Sequence, residues 1–448
     1  MSAVLHRNLV TQLPTVVRGE GAYLYDQSGK RYLDACGGAA VSALGHSNAA
    51  VIQAIKDQLD EVAYAHTGFF TNEPAEELAE FLVARAPEGF GAGRVMFLGS
   101  GSEAMEAALK LARQFHVERG NPERGHIIGR EMAYHGNTLG ALAVGGHRQR
   151  RAPYQPLLID VTRTPACYAY RLKRDDETEE EFGVRTANHL EDEILRLGPE
   201  TVAAFVVEPV SGATLGTVPP APGYFKRIRE ICDKYGVLLI ADEVMCGMGR
   251  TGTLFALEQE GIAPDIITMA KGLGAGYQPI AAVMGGGKVI QAILQGSGSL
   301  WNGHTYMSHA VACAGALAVL KTIEANDLLE NVRQKGELLS KLLKQRFGQH
   351  RHVGDIRGRG LFWSLELVAD RTSKEPFPAS ACLAATIKAT AQENGLLCYP
   401  ASGCVDGELG DHVLLAPTYD VTEEQLMTII DILDRTLKHC LSNAALAA

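Results

Sequence analysis

Asp242 and Lys271 stand 29 residues apart, each at the end of a short apolar run, VLLIADE and DIITMAKG. Both runs have the length and composition of buried strands. Burying an unpaired carboxylate is costly, so the pair Asp242-Glu243 at the end of such a strand needs a reason. Residues two apart on a strand share a face, which projects Asp242 and Val244 together and turns Glu243 the other way. An acid beside a small apolar side chain suits a flat heteroaromatic cation: the carboxylate pairs with a protonated ring nitrogen and the valine packs on the ring. In open α/β sheets the carboxyl ends of the strands form the ligand crevice, so Lys271 is expected at the edge that carries Asp242. A lysine desolvated there is suited to Schiff-base chemistry, because burial lowers its pKa. Taken singly, Lys271 also reads as an exposed loop lysine and Asp242 as a helix cap.

Four further segments decide between those readings. Gly99-Ser100-Gly101-Ser102-Glu103 lies between a strand at 94–98 and a helix opening at Ser102. Its small residues let backbone N–H groups of the first helical turn approach a phosphate, although the same string serves as an ordinary N-capped turn. It lacks the Gly-Lys-Ser/Thr of a P-loop and the Gly-x-Gly-x-x-Gly of a dinucleotide site. Tyr134-His135-Gly136 follows another short strand and can lay an aromatic ring over a cofactor, or simply bury a tyrosine. Glu208 closes VAAFVVE as Asp242 closes its own strand. Thr305, in Gly303-His304-Thr305-Tyr306, offers a hydroxyl before an apolar helix at 309–320.

The elements that position these residues alternate strands with helices, the pattern of a largely parallel sheet covered on both faces. Strands are expected at 94–98, 126–129, 202–208, 237–243, 265–269 and 280–285, with helices from Ser102 to about Arg119 and over 223–235. A helix at 327–347, the run GRGLFWSLEL and a closing helix after Thr422 form a second α+β unit. Thr422 and Gln425 fit a capping box. The strand-like GAYLYDQSGKRYLDA, with its turn at Gln27–Gly29, is too small to stand alone and is expected to pack with that unit. The resulting division is 1–55 and 326–448 for a small domain and 56–325 for a large one. Residues 171–183 read as a charged surface insertion.

With 448 residues, 46% hydrophobic and 21% charged, the chain has the make-up of a globular protein with a large core. Its formal charge of −10 and scattered basic residues, apart from Arg148, Arg150 and Arg151, argue against nucleic acid as a partner. The opening MSAVLHRNLVTQLP has no apolar signal core and no stretch suits a membrane span, so the expected location is cytoplasmic. Nine cysteines, none in a Cys-x-x-Cys pair, read as reduced core residues with no metal role.

In this order, these segments resemble the class III pyridoxal-phosphate aminotransferases, the ω-aminotransferase group, over nearly the whole chain. The block from Asp242 through Arg250-Thr251-Gly252 to Lys271 is the most specific part. The resemblance implies a fold type I α/β protein, with a mostly parallel seven-stranded sheet and a small α+β domain built from both chain ends. It implies that Lys271 carries pyridoxal 5′-phosphate as a Schiff base and that Asp242 pairs with the pyridinium nitrogen. Val244 and Tyr134 would flank the ring, with His135 beside them, and Ser100, Gly101 and Ser102 would form the phosphate loop. Glu208 would lie near the substrate and the cofactor hydroxyl. Thr305 would reach the phosphate of the neighbouring subunit's cofactor, which makes the expected assembly a homodimer with a shared site.

The implied reaction is a ping-pong transfer from an amine or ω-amino acid to a keto acid, with pyruvate the family-level acceptor. Racemisation, decarboxylation and aminomutation use the same apparatus and stay open. Many relatives place a carboxylate-binding arginine where GLLCYP here has Tyr399. Arg148, Arg150 and Arg151 are candidates by position only and also read as a solvated basic loop, and Tyr64, Phe69, Phe70 and Trp301 are candidate pocket walls by loose analogy.

Overall fold

The computed structural model describes residues 2–447. Its centre is a seven-stranded sheet in the order Arg94–Leu98, Ala281–Gly285, Ile266–Met269, Leu238–Asp242, Val202–Val207, His126–Arg130, Thr162–Thr164. Ala281–Gly285 runs antiparallel to both neighbours, and the remaining pairings are parallel. Six strands therefore point their carboxyl ends the same way, which gathers the residues following Leu98, Arg130, Val207, Asp242 and Met269 at one edge. Thr162–Thr164 is the strand the sequence did not announce, since three residues are too few to show a period.

Strand alternation divides the core in two. Leu238 and Ile240 pack with Ala104, Met105, Ala108, Leu111 and Phe115 of the helix Gly101–Glu118. Leu239 and Ala241 pack on the opposite face with Phe182, Leu190, Ile194, Ile228 and Ile231 of the helices Glu179–Leu197 and Tyr224–Tyr235. Covered on both faces, these strands are continuous apolar runs rather than alternating ones. The same alternation fixes the site: Val244 packs on the side of the Gly101–Glu118 helix.

The two chain ends meet. Val16–Glu20, Tyr23–Asp26 and Arg31–Asp34 form an antiparallel meander, and Leu396–Leu397 adds to Arg31–Asp34 in parallel. Gly29, at φ 85°, closes the turn with its N–H donating to the Asp26 carbonyl. A third sheet runs Val353–Arg359, Phe362–Leu367, Asp411–Leu415, Tyr399–Ser402. The helices Leu328–Phe347 and Glu423–Ala447 flank it, the latter opened by reciprocal Thr422–Gln425 hydrogen bonds of 2.9 and 3.2 Å.

The charged stretch 171–183 lies largely at the surface, as expected, but its second part is helical. A capping box between Thr178 and Glu181 opens the 19-residue helix Glu179–Leu197, and Glu179, Glu180 and Glu181 fill its first turn. Acidic residues there complement the positive end of the helix dipole, and the apolar face begins at once with buried Phe182. All nine cysteines are free and only Cys382 is exposed. No helix among the described residues is long and apolar enough to cross a membrane.

Candidate active site

A pocket opens at the carboxyl edge of the central sheet, lined by Gly101, Ser102, Tyr134, His135, Gly136, Glu208, Ala213, Asp242, Val244, Met245, Ala270 and Lys271. Asp242 is held by three donors. His135 Nδ1 lies 2.7 Å from Oδ2, and the Val244 N–H and Thr268 hydroxyl reach Oδ1 at 3.0 and 3.2 Å. The carboxylate is thus fixed in rotation, while His135 Nε2 is buried with no hydrogen-bond partner among the described residues. Thr268 lies directly opposite Asp242 in the parallel ladder, so its contribution follows from strand register.

Lys271 begins just past the neighbouring strand. Its φ of 44° is a left-handed conformation that costs a non-glycine residue about 1 kcal/mol or more. The turn is held by the Gly274 and Ala275 N–H groups donating to the Lys271 carbonyl at 3.1 and 2.9 Å, and the side chain lines the pocket. Burial pushes the amine pKa below the usual lysine value, with Asp242 and Glu208 pulling it back up. Among the described residues, no carboxylate lies within ion-pair distance of its Nζ.

Glu208 accepts from the Tyr134 N–H at 3.1 Å and from the Gly212 N–H at 3.0 Å, so it braces the loops on both sides of the pocket. Burial raises its pKa, Asp242 adds to the rise, and His135 and Arg130 oppose it. Ser100 caps the helix Gly101–Glu118 by accepting from the Glu103 N–H. Ser102 Oγ accepts from the Asn137 N–H at 2.9 Å, tying the two loops together. That approach needs glycine: a Cβ on Gly136, at φ 134°, would sit 2.6 Å from Ser102 Oγ. A Cβ on Gly101 would sit 3.0 Å from Val244.

The donor set fits a phosphorylated pyridine aldehyde. A fixed carboxylate matches a ring nitrogen and an unpaired amine matches the aldehyde carbon. The glycine-lined helix start with the Ser102 hydroxyl matches a phosphate.

Glu243 turns away from the pocket, as strand alternation predicts. It is fully buried and accepts from the Ala256 and Leu257 N–H groups at 2.8 and 2.9 Å, pinning the turn Ala256–Glu260. Burial raises its pKa to about 7. A carboxyl group with a raised folded-state pKa stabilises the fold below its unfolded value near 4.5 and loses that contribution as pH rises through 7. Stability should therefore fall by up to ~3 kcal/mol between pH 4.5 and 8 through this group. Urea melts of Glu243→Gln should show that slope removed; an equal slope in both proteins would disprove the assignment.

Of the residues singled out for cofactor contact, all but Ser100 and Thr305 line this one pocket. Thr305 is exposed in a separate hollow with Phe97, Gly99, Glu103, His304 and Tyr306. The Tyr64 hydroxyl donates to its carbonyl at 2.8 Å. Phe69, Phe70, Trp301 and Tyr306 are 81, 68, 72 and 68% exposed, so Phe69, Trp301 and Tyr64 do not wall the Lys271 pocket within one chain. Tyr399 packs instead against an apolar cluster that includes Ala213 and Met245, two pocket residues. Arg148 is exposed beside the Gly403–Gly410 loop, where its charge bears on Asp406.

The sequence reading missed Met245 and Ala213 as pocket walls and the Arg130 bond to the Glu208 carbonyl at 3.2 Å. It also placed His135 near the cofactor without finding its partner. Those two residues are 107 positions apart, and no local signal links them.

Comparison with known proteins agrees with this geometry. The family profile described as "Aminotransferase class-III" matches residues 5–437. An aminotransferase of Schizosaccharomyces pombe is 48% identical over 425 residues, covering 95% of this chain and 92% of the relative. A vanillin aminotransferase of Capsicum chinense is 38% identical over 434 residues, covering 95% and 91%. Among solved structures, the ω-transaminase of Pseudomonas jessenii in complex with PMP superposes with a TM-score of 0.90 at 36% identity, covering 96% and 94%. The PMP-bound aminotransferase of Vibrio fluvialis does so with a TM-score of 0.90 at 34%, covering 97% and 94%.

Proposed function

The chain belongs to the class III aminotransferases, fold type I enzymes that use pyridoxal 5′-phosphate, and from that premise we propose that it moves an amino group from an amine or ω-amino acid to pyruvate in a ping-pong cycle. The observation that carries this reading is the convergence of Lys271, Asp242 and Glu208 on one pocket from three different strand ends.

Bound there, the cofactor supplies a carbonyl carbon with which amines condense and a ring that takes up the electron pair released at the neighbouring carbon. Lys271 anchors it. Once free, Lys271 Nζ would remove and redeliver the proton on the substrate's amine-bearing carbon, a task suited to an amine whose pKa burial has lowered. Asp242, locked by His135 and Thr268, holds the ring nitrogen's proton. Val244 and Tyr134 would flank the ring, Gly101 and Ser102 would receive the phosphate, and Glu208 positions the Tyr134 loop.

We assign the working unit as a homodimer in which Thr305 meets the partner's pocket, supported by the exposed aromatic surface around it. Sedimentation should give a dimer of 48.1 kDa chains. Residues 56–325 would form the cofactor domain, with 1–55 joining 326–448 through the Leu33–Leu396 pairing.

The deciding experiment is a panel of amines against pyruvate, 2-oxoglutarate and oxaloacetate. Amine-dependent conversion of pyruvate to alanine is expected. Turnover of the amine substrate with no keto acid present, and no aldehyde or ketone released, would indicate racemisation, decarboxylation or aminomutation instead.

A further inference from the structure

The proposed acceptor carries a carboxylate, and Tyr399 cannot pair with it. The basic run Arg148–Arg151 forms one short helix near the pocket mouth, and its three arginines have different surroundings. Arg148 is exposed beside the Gly403–Gly410 loop and Arg151 is partly buried with its guanidinium 3.4 Å from Gln155 Oε1, neither of them in an ion pair among the described residues. Arg150 has no carboxylate within ion-pair distance among the described residues, yet it is exposed and its guanidinium lies 4.7 Å from the centre of the Tyr134 ring. Tyr134 itself lines the pocket.

Stacking uses the face of a guanidinium and leaves its in-plane N–H donors free, the edge that grips a carboxylate in bidentate fashion. The sheet that carries Tyr399 holds a second group without a partner. Tyr399 and Ala401 share one face of their strand, and Ala401 pairs with His412 across the ladder. His412 is fully buried, and both ring nitrogens lack a hydrogen-bond partner among the described residues. Arg150 thus lies over a ring that lines the pocket, and its positive charge opposes protonation of both Lys271 and His412.

We propose that Arg150 is the substrate-carboxylate anchor of this enzyme, taking from a different element the place that an arginine at Tyr399 would fill. Of the three arginines it is the one whose guanidinium lies over a pocket residue, Tyr134. This deepens the aminotransferase reading and rests on it.

The test compares wild-type, Arg150→Gln and Arg150→Lys holoenzymes. Calorimetric titration with propanoate, a monocarboxylate that cannot react, should lose about 10- to 100-fold in affinity in Arg150→Gln and recover part of it in Arg150→Lys. The pyruvate KM should rise by a similar factor with kcat at saturation little changed, while the KM of a donor amine lacking a carboxylate stays put. Matching thermal midpoints exclude misfolding as the cause. Propanoate affinity and pyruvate KM unchanged in Arg150→Gln, or a wild type that does not bind propanoate, would overturn the proposal. If the aminotransferase reading itself failed, the wild type would show no pyruvate-dependent turnover, whatever its propanoate binding.

Discussion

Lys271→Ala should reduce turnover to background. Two losses combine: the proton relay at the substrate carbon, worth about 10²- to 10⁴-fold by itself, and the covalent anchor of the cofactor. The readout need not be activity. Borohydride reduction of the wild-type holoenzyme should fix the cofactor to the peptide containing Lys271, and mass spectrometry of a digest should find it there. The alanine variant should release its cofactor on reduction and dialysis, and added small primary amines should restore part of the proton transfer. Turnover of the alanine variant at the wild-type rate would remove Lys271 from the reaction altogether. The pocket walls should tolerate the change, because the left-handed backbone at Lys271 is held by the Gly274 and Ala275 N–H groups rather than by the side chain.

Asp242→Asn should bind cofactor and still lose activity, by about 10²- to 10³-fold, the usual cost of removing one preorganised electrostatic partner in a water-poor site. The amide keeps the shape of the carboxylate and its single oxygen can still accept from the Val244 N–H, 3.0 Å from Asp242, while its NH2 can donate to His135 Nδ1 only in the other imidazole tautomer. What it loses is the negative charge that keeps the ring nitrogen protonated. The visible spectrum of the bound cofactor should shift accordingly. Glu243→Gln supplies the control on the adjoining residue: it faces away from the pocket, so its rate should stay close to wild type while its stability profile changes with pH. Equal rates in Asp242→Asn and wild type would show that the acid is structural.

The periodicities of the chain announced six of the seven central strands, because strands buried on both faces must be apolar throughout. They also announced that Asp242 and Val244 share one side. Thr162–Thr164 escaped because three residues carry no period. The helix Glu179–Leu197 was hidden in a charged run, because its acidic first turn complements its own dipole instead of lying loose in solvent. Side-chain chemistry at strand ends was likewise legible: a lysine, an aspartate and a glutamate closing apolar runs could meet only if the strands were parallel.

Three things were settled by tertiary structure alone. His135 reaches Asp242 across 107 positions, Glu208 braces loops from both sides, and Arg150 lies over Tyr134 while Arg148 lies beside the Gly403–Gly410 loop. Sequence fixes which groups stand at the carboxyl edge, since hydrophobic burial dictates the strands and their direction. Which of those groups then touch depends on hydrogen-bond angles and distances of a few tenths of an ångström between loops far apart in the chain, and no periodicity encodes that.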